Sequence, residues 1–133
     1  MRWFISVLVL SAVLAPAALA EPKTLQGEIV DPAAFLKTGA HGPEQEELTY
    51  EAVDGGQTLA FLEDGSGALY LLLAEEPGED PNELAYDYVN RKVKVVGTVF
   101  ERAGVRGLVI GSITPTEPVT EPAAGSPAAA APD

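Results

Sequence analysis

His41 is the only imidazole in the chain, and there is no cysteine. Any Cys/His or Ser/His/Asp nucleophile system must therefore be assembled around this one ring. It sits in the glycine-framed segment Gly39-Ala40-His41-Gly42, where a lone histidine is expected to be solvated rather than catalytic. The chain also has no Gly-x-x-x-x-Gly-Lys segment to cradle phosphate and no dinucleotide fingerprint. Paired carboxylates can cleave glycosides when a cleft fixes their spacing, but a domain of about 90 residues rarely forms so deep a pocket. The residue types thus point away from catalysis: no catalytic residue and no cofactor is expected, and an enzyme whose catalytic acids follow no recognisable pattern is the third functional reading.

Acids are the abundant chemistry. There are 20 Asp plus Glu against 8 Lys plus Arg, a formal net charge of -12. Glu44, Glu47 and Glu51 recur at helical spacing on one face, and Glu75, Glu76, Glu79 and Asp80 crowd one loop. Calcium takes roughly six to eight hard oxygen ligands and can use such a loop, which makes a cation-binding accessory domain the alternative functional reading. The spaced Asp-x-Asp-x-Asp-Gly pattern is missing, so a solvated acidic surface is the leading expectation. The few basic residues Arg91, Lys92, Lys94, Arg102 and Arg106 gather near the end of the folded part; they either balance acids locally or form a docking face for an anionic partner. Phosphate backbones and anionic membranes are poor partners for so acidic a chain.

The elements that must position these groups follow from periodicity and punctuation. Lys23 to Asp31 reads as a strand, with Leu25, Gly27 and Ile29 alternating against Gln26, Glu28 and Val30. Asp31-Pro32 breaks it and starts a short turn through Leu36. Pro43 suits a first helical position, with Glu44, Glu46 and Glu47 in the first turn and Gly55-Gly56 at the end; Leu48 and Ala52 are expected to face the core. Thr58 to Glu63 and Ala68 to Leu73 are apolar runs joined by Asp64-Gly65-Ser66-Gly67, a hairpin. Asp80-Pro81-Asn82-Glu83 carries helix-start signals, predicting a short helix to about Val89. Arg91 to Arg102 is the longest strand, with Val93, Val95 and Val99 on one face and Lys94, Val96, Thr98 and Phe100 on the other. Ala103-Gly104 returns it into Arg106 to Thr114.

The predicted architecture is all-β, an OB-fold-like five-stranded barrel in the order β-(α)-β-β-α-β-β, with a small open α+β sheet as the competing arrangement. Glycines inside strands at Gly27, Gly97 and Gly111 suit the bends that closure requires. Without cysteines, its stability must come from a single apolar core.

The two ends differ from this middle. Met1 to Ala20 has one positive charge at Arg2, an apolar stretch from Trp3 to Leu14, then Pro16 and the small residues Ala17, Ala18 and Ala20. This is the tripartite plan of a secretory signal, with cleavage predicted after Ala20 and a periplasmic or secreted mature protein; the alternative is an uncleaved anchor, since Trp3 to Ala20 carries no charge and just reaches the length of a membrane span. Cleavage would take the net charge from -12 to -13 by removing Arg2. Pro115 to Asp133 is rich in Pro, Ala and Thr, with nothing aromatic to bury, and reads as a disordered tail. The expected layout is signal 1–20, barrel 21–114 and tail 115–133.

From Leu25 to Ile113 the chain resembles a family of small exported bacterial OB-fold domains. The resemblance lies in Leu-Gln-Gly-Glu-Ile-Val-Asp, Gly-Ala-Leu-Tyr-Leu-Leu-Leu, Lys-Val-Lys-Val-Val-Gly-Thr-Val-Phe-Glu-Arg and Arg-Gly-Leu-Val-Ile. Some relatives carry a cysteine and an aromatic after the first strand, a Gly-x-x-Gly loop, then a histidine and two cysteines on the next helix. Here the resemblance implies that Phe35 keeps the aromatic and Gly39 to Gly42 the loop, while Ala34, Gln45, Leu48 and Ala52 stand at the ligand positions. None of these holds zinc, copper or haem iron, so no metal site is expected there. The resulting functional expectation is an exported, non-enzymatic binding module whose partner is a protein or small ligand of the cell envelope.

Overall fold

The computed structural model describes residues 19–116. The apolar stretch of the predicted signal lies outside these residues, as does the tail beyond Thr116. Five strands form a closed barrel in the order β1-β2-β3-β5-β4, with two short helices between the first two strands. The strands are β1 (Leu19–Val30), β2 (Ala60–Glu63), β3 (Leu69–Leu72), β4 (Lys92–Arg102) and β5 (Val105–Pro115). The helices are α1 (Pro32–Thr38) and α2 (Glu46–Asp54). Among the described residues, no helix is long and apolar enough to cross a membrane.

β1 starts earlier than Lys23. Leu19 and Ala20 pair with Glu101 and Phe100, so the predicted cut after Ala20 falls inside the strand. The first half of β1 pairs only with β4; β2 joins from Gly27 to Val30. This is why Pro22, which has no amide hydrogen, is tolerated: it sits where, among the described residues, one edge of the strand has no partner. Gly27 lies where the strand acquires both neighbours, and a Cβ there would run into the Leu62 carbonyl. At the other end, β5 continues through Pro115, opposite Val93, and the Thr116 amide donates to the Lys92 carbonyl. The barrel therefore takes in two residues assigned to the tail by composition.

The turns follow local chemistry. Asp31 caps α1 by accepting from the Ala33 amide at 2.9 Å, and Gly39 ends it at φ 76°. The β2–β3 turn is stitched by the Ser66 hydroxyl, which donates to Glu63 at 2.7 Å. Ala103 and Gly104 both have positive φ, at 54° and 79°, which matches the twist of the β4–β5 hairpin. A bulge lies between Val96 and Gly97, where Gly97 faces Ile110 and Val96 faces Ser112, leaving Gly111 as the extra residue.

Leu25, Ile29, Phe61, Tyr70, Leu72, Val93, Val95 and Leu108 fill the barrel, and Val99 packs against this core, as the alternation in β4 predicts. Two predictions about the connections need correction. The core side of α2 is Thr49, with Tyr50 and Val53 beside it, while Leu48 is exposed. The helix does lie against the barrel, but rotated from the Leu48/Ala52 face, so its aromatic Tyr50 reaches Tyr86 at 5.0 Å. From Asp80 to Val89 there is no α-helix, only successive tight turns and a 3-10 turn at Tyr86–Tyr88. The cause is Asn82. Its side chain accepts from the Leu59 amide at 2.8 Å and donates to the Gln57 carbonyl at 3.1 Å, tying the segment to the entrance of β2. Ala85 and Val89 are thereby pulled into the core.

Candidate functional site

Along β3 the side chains alternate across the sheet, so Tyr70 and Leu72 point inward and Leu71 and Leu73 outward. Leu71 and Leu73 remain 37% and 39% exposed, and Val105 at the start of β5 is 56% exposed. With Phe100 of β4 they line an open hollow of about 380 Å³. Its floor is Gly107, where a Cβ would collide with the Leu73 side chain; the glycine lets Leu73 lie flat across β5. Arg102, Arg106 and Glu101 form the rim, with the Arg106 guanidinium 3.4 Å from Glu101. An apolar floor with a charged rim suits an apolar side chain or small hydrophobic group carrying a polar end. No hydroxyl, thiol or imidazole stands among the residues that line it.

A second hollow, of about 360 Å³, also includes Leu73 and runs between the 74–84 loop and β5. Its apolar members are Leu84, Val109 and Ile110, and its acids are Glu75, Glu79, Asp80 and Glu83. The acidic loop singled out in the sequence therefore borders a groove. Its carboxylates also serve the loop itself: Glu79 accepts from the Glu76 amide at 3.3 Å and Asp80 from the Asn82 amide at 2.9 Å. Among the described residues, no three His, Asp or Glu side chains are arranged to hold a metal ion.

His41 is exposed, as expected of a loop residue, but one edge of its ring is held. Its Nδ1 lies 3.0 Å from Glu28 Oε1, and its ring packs edge-on against Phe35 at 6.0 Å. Glu28 is only 2% exposed. Its other oxygen accepts from the Gly42 amide at 2.6 Å and from the Asn90 side chain at 3.2 Å. The strand alternation had placed Glu28 on the polar face; the loop after α1 folds over that face and buries it. An acid–imidazole pair is half of a general-base arrangement, but among the described residues no hydroxyl is bonded to the ring. Glu28 instead gathers α1's following loop and the start of β4 around one carboxylate.

The remaining sequence candidates are scattered. Ala34 is half-buried on α1; Gln45 is half-buried in the 3-10 turn Pro43–Gln45; Leu48 is exposed and Ala52 half-buried on α2. Glu44, Glu47 and Glu51 are exposed. Three of the basic residues lie against acids: Arg91 at 3.8 Å from Glu46, Lys92 at 2.7 Å from Asp64, and Arg106 with Glu101. This favours local charge balance over a basic docking face.

Tyr70 closes the inner wall beneath the first hollow. Burial and the nearby Glu63 carboxylate, to which its hydroxyl donates at 3.2 Å, hold its ionisation above the usual value of 10.0. Burial first and the charge of Glu46 next raise Tyr50 in the same way.

Leu71 and Leu73 of the apolar hollow escape the sequence reading because Leu69 to Leu73 is a continuous run of large side chains with no charged member to mark an outer face. A signal was present: in a barrel strand only every second residue faces in, so leucines on both parities require one set to face out. No family model matches the chain, and no match is found among curated proteins or solved structures.

Proposed function

We propose that this chain is an exported, non-enzymatic binding module built on an OB-type barrel, and that its partner is a protein or small ligand of the cell envelope. The observation that carries the reading is the exposed apolar hollow formed by Leu71, Leu73, Phe100 and Val105 over Gly107. Large side chains left in water around a concave surface, with a charged rim, are the usual anatomy of a recognition site. The strand order and the short parallel join between β3 and β5 support the OB-type assignment. The tripartite pattern of residues 1–20 supports export to the periplasm or beyond.

The test compares immobilised mature protein with a Leu71→Ser/Leu73→Ser variant, using envelope extract of the producing cells. Wild type should retain at least one component that the variant loses, while both melt cooperatively. If the two retain the same set, or wild type retains nothing above background, the proposal fails.

A further inference from the structure

The barrel is closed unevenly. β4 pairs with β5 along its whole length, but β3 pairs with β5 only at Leu71↔Gly107 and Leu72↔Leu108. The Leu73 amide then donates to the Leu108 carbonyl at 2.9 Å, and the chain turns away into the 74–84 loop. Backbone groups alternate between the two edges of a strand. Because Leu108 addresses β3, Ile110 presents its amide and carbonyl to that same edge, where no strand among the described residues pairs with it. The gap is the second hollow, open alongside Val109 and Ile110 and backed by the half-exposed Leu84.

An open strand edge beside a groove is the geometry by which extended peptides join a sheet, with main-chain hydrogen bonds supplying affinity and flanking pockets supplying selectivity. The charge of this groove selects the occupant. Glu75, Glu79, Asp80 and Glu83 line it, and none of its lining residues is basic. We infer that the β5 edge beyond Leu108 takes an extended segment of a partner protein in which basic residues alternate with apolar ones. The basic side chains meet the acidic loop and the apolar ones pack on Leu84 and Leu73. Electrostatic attraction would raise the encounter rate and make binding salt-dependent.

This inference rests on the binding-module reading and uses the adjoining groove, which shares Leu73 with the apolar hollow; peptide probes and substitutions confined to the acidic loop separate the two. The probes are acetyl-Lys-Val-Lys-Val-Lys-Val-amide, its Glu-for-Lys counterpart, and a version N-methylated at alternate amides, each titrated into the mature protein by calorimetry and amide NMR. The Lys peptide is expected to shift the Ile110 and Leu84 resonances and slow Ile110 amide exchange. At least tenfold weaker binding is expected for the Glu and N-methylated peptides and for a Glu79→Gln/Glu83→Gln protein. No binding of the Lys peptide, or equal binding of the N-methylated one, overturns the edge assignment. Equal binding of the Glu peptide overturns its charge selection. If envelope capture depends on Leu71 and Leu73 while these peptides do not bind, the binding-module reading stands without the strand edge.

Discussion

Removing the Glu28 carboxylate would strand two donors, the Gly42 amide and the buried Asn90 side chain, and release the half-exposed His41 ring to water. Unsatisfied buried donors to a charged acceptor are costly, so Glu28→Ala should destabilise the barrel by about 3 kcal/mol. Glu28→Gln retains an acceptor oxygen and should cost about 1 kcal/mol; urea unfolding measures both, and equal losses would contradict this account. Tyr70 sets a second, pH-dependent effect. Its ionisation is raised in the folded state by burial and by Glu63, so the folded protein holds the phenol proton more tightly than the unfolded chain. The corresponding stability is intact below the ordinary value of 10.0 and declines as pH rises through the folded-state value. Melting temperatures followed into alkaline solution should fall less steeply for Tyr70→Phe than for wild type, with a residual slope from Tyr50 and Tyr86, which are shifted in the same direction.

At the scale of elements, the strands are held by close backbone approaches that leave no room for side chains. Gly27→Ala would place a methyl group against the Leu62 carbonyl and press on the Phe61 ring at 2.8 Å. That crowding lies where β1 gains its second neighbour, so β1 or β2 must shift. The expected cost is about 1–3 kcal/mol, read from the urea midpoint, and an unchanged midpoint would show that the approach is looser than described. The helices illustrate where local signals mislead. Asp31-Pro32 starts α1 as its capping chemistry suggests, but the expected turn through Leu36 is a helix that runs to Thr38, where Gly39 ends it. Asp80-Pro81-Asn82-Glu83 carries equally good start signals, yet Asn82 spends its side chain on Leu59 and Gln57, residues 23 and 25 positions away. A long-range hydrogen bond of that kind has no trace in local spacing, and it overrides the helix.

The whole molecule is legible in its sequence to the extent that burial is periodic. Val93, Val95 and Val99 alternate cleanly and face inward, the glycine-bearing turns fall at both hairpins, and the barrel closes with its short helices. The candidate site is far less legible. Which leucines of Leu69 to Leu73 face water depends on which face of β3 meets the core, and the burial of Glu28 depends on a loop folding across β1 from the other side of α1. Both are facts of tertiary placement. The pairing of β1 has one more consequence, for how the molecule comes into being. Most of that strand pairs with β4 and not with its neighbour β2; Leu25 meets Val95, 70 residues further along the chain. Contacts so distant carry a large loop-closure cost before they return any stability, which places the domain among slow folders, on the order of milliseconds to seconds. β1 must wait, unpaired along that edge, until β4 has been made.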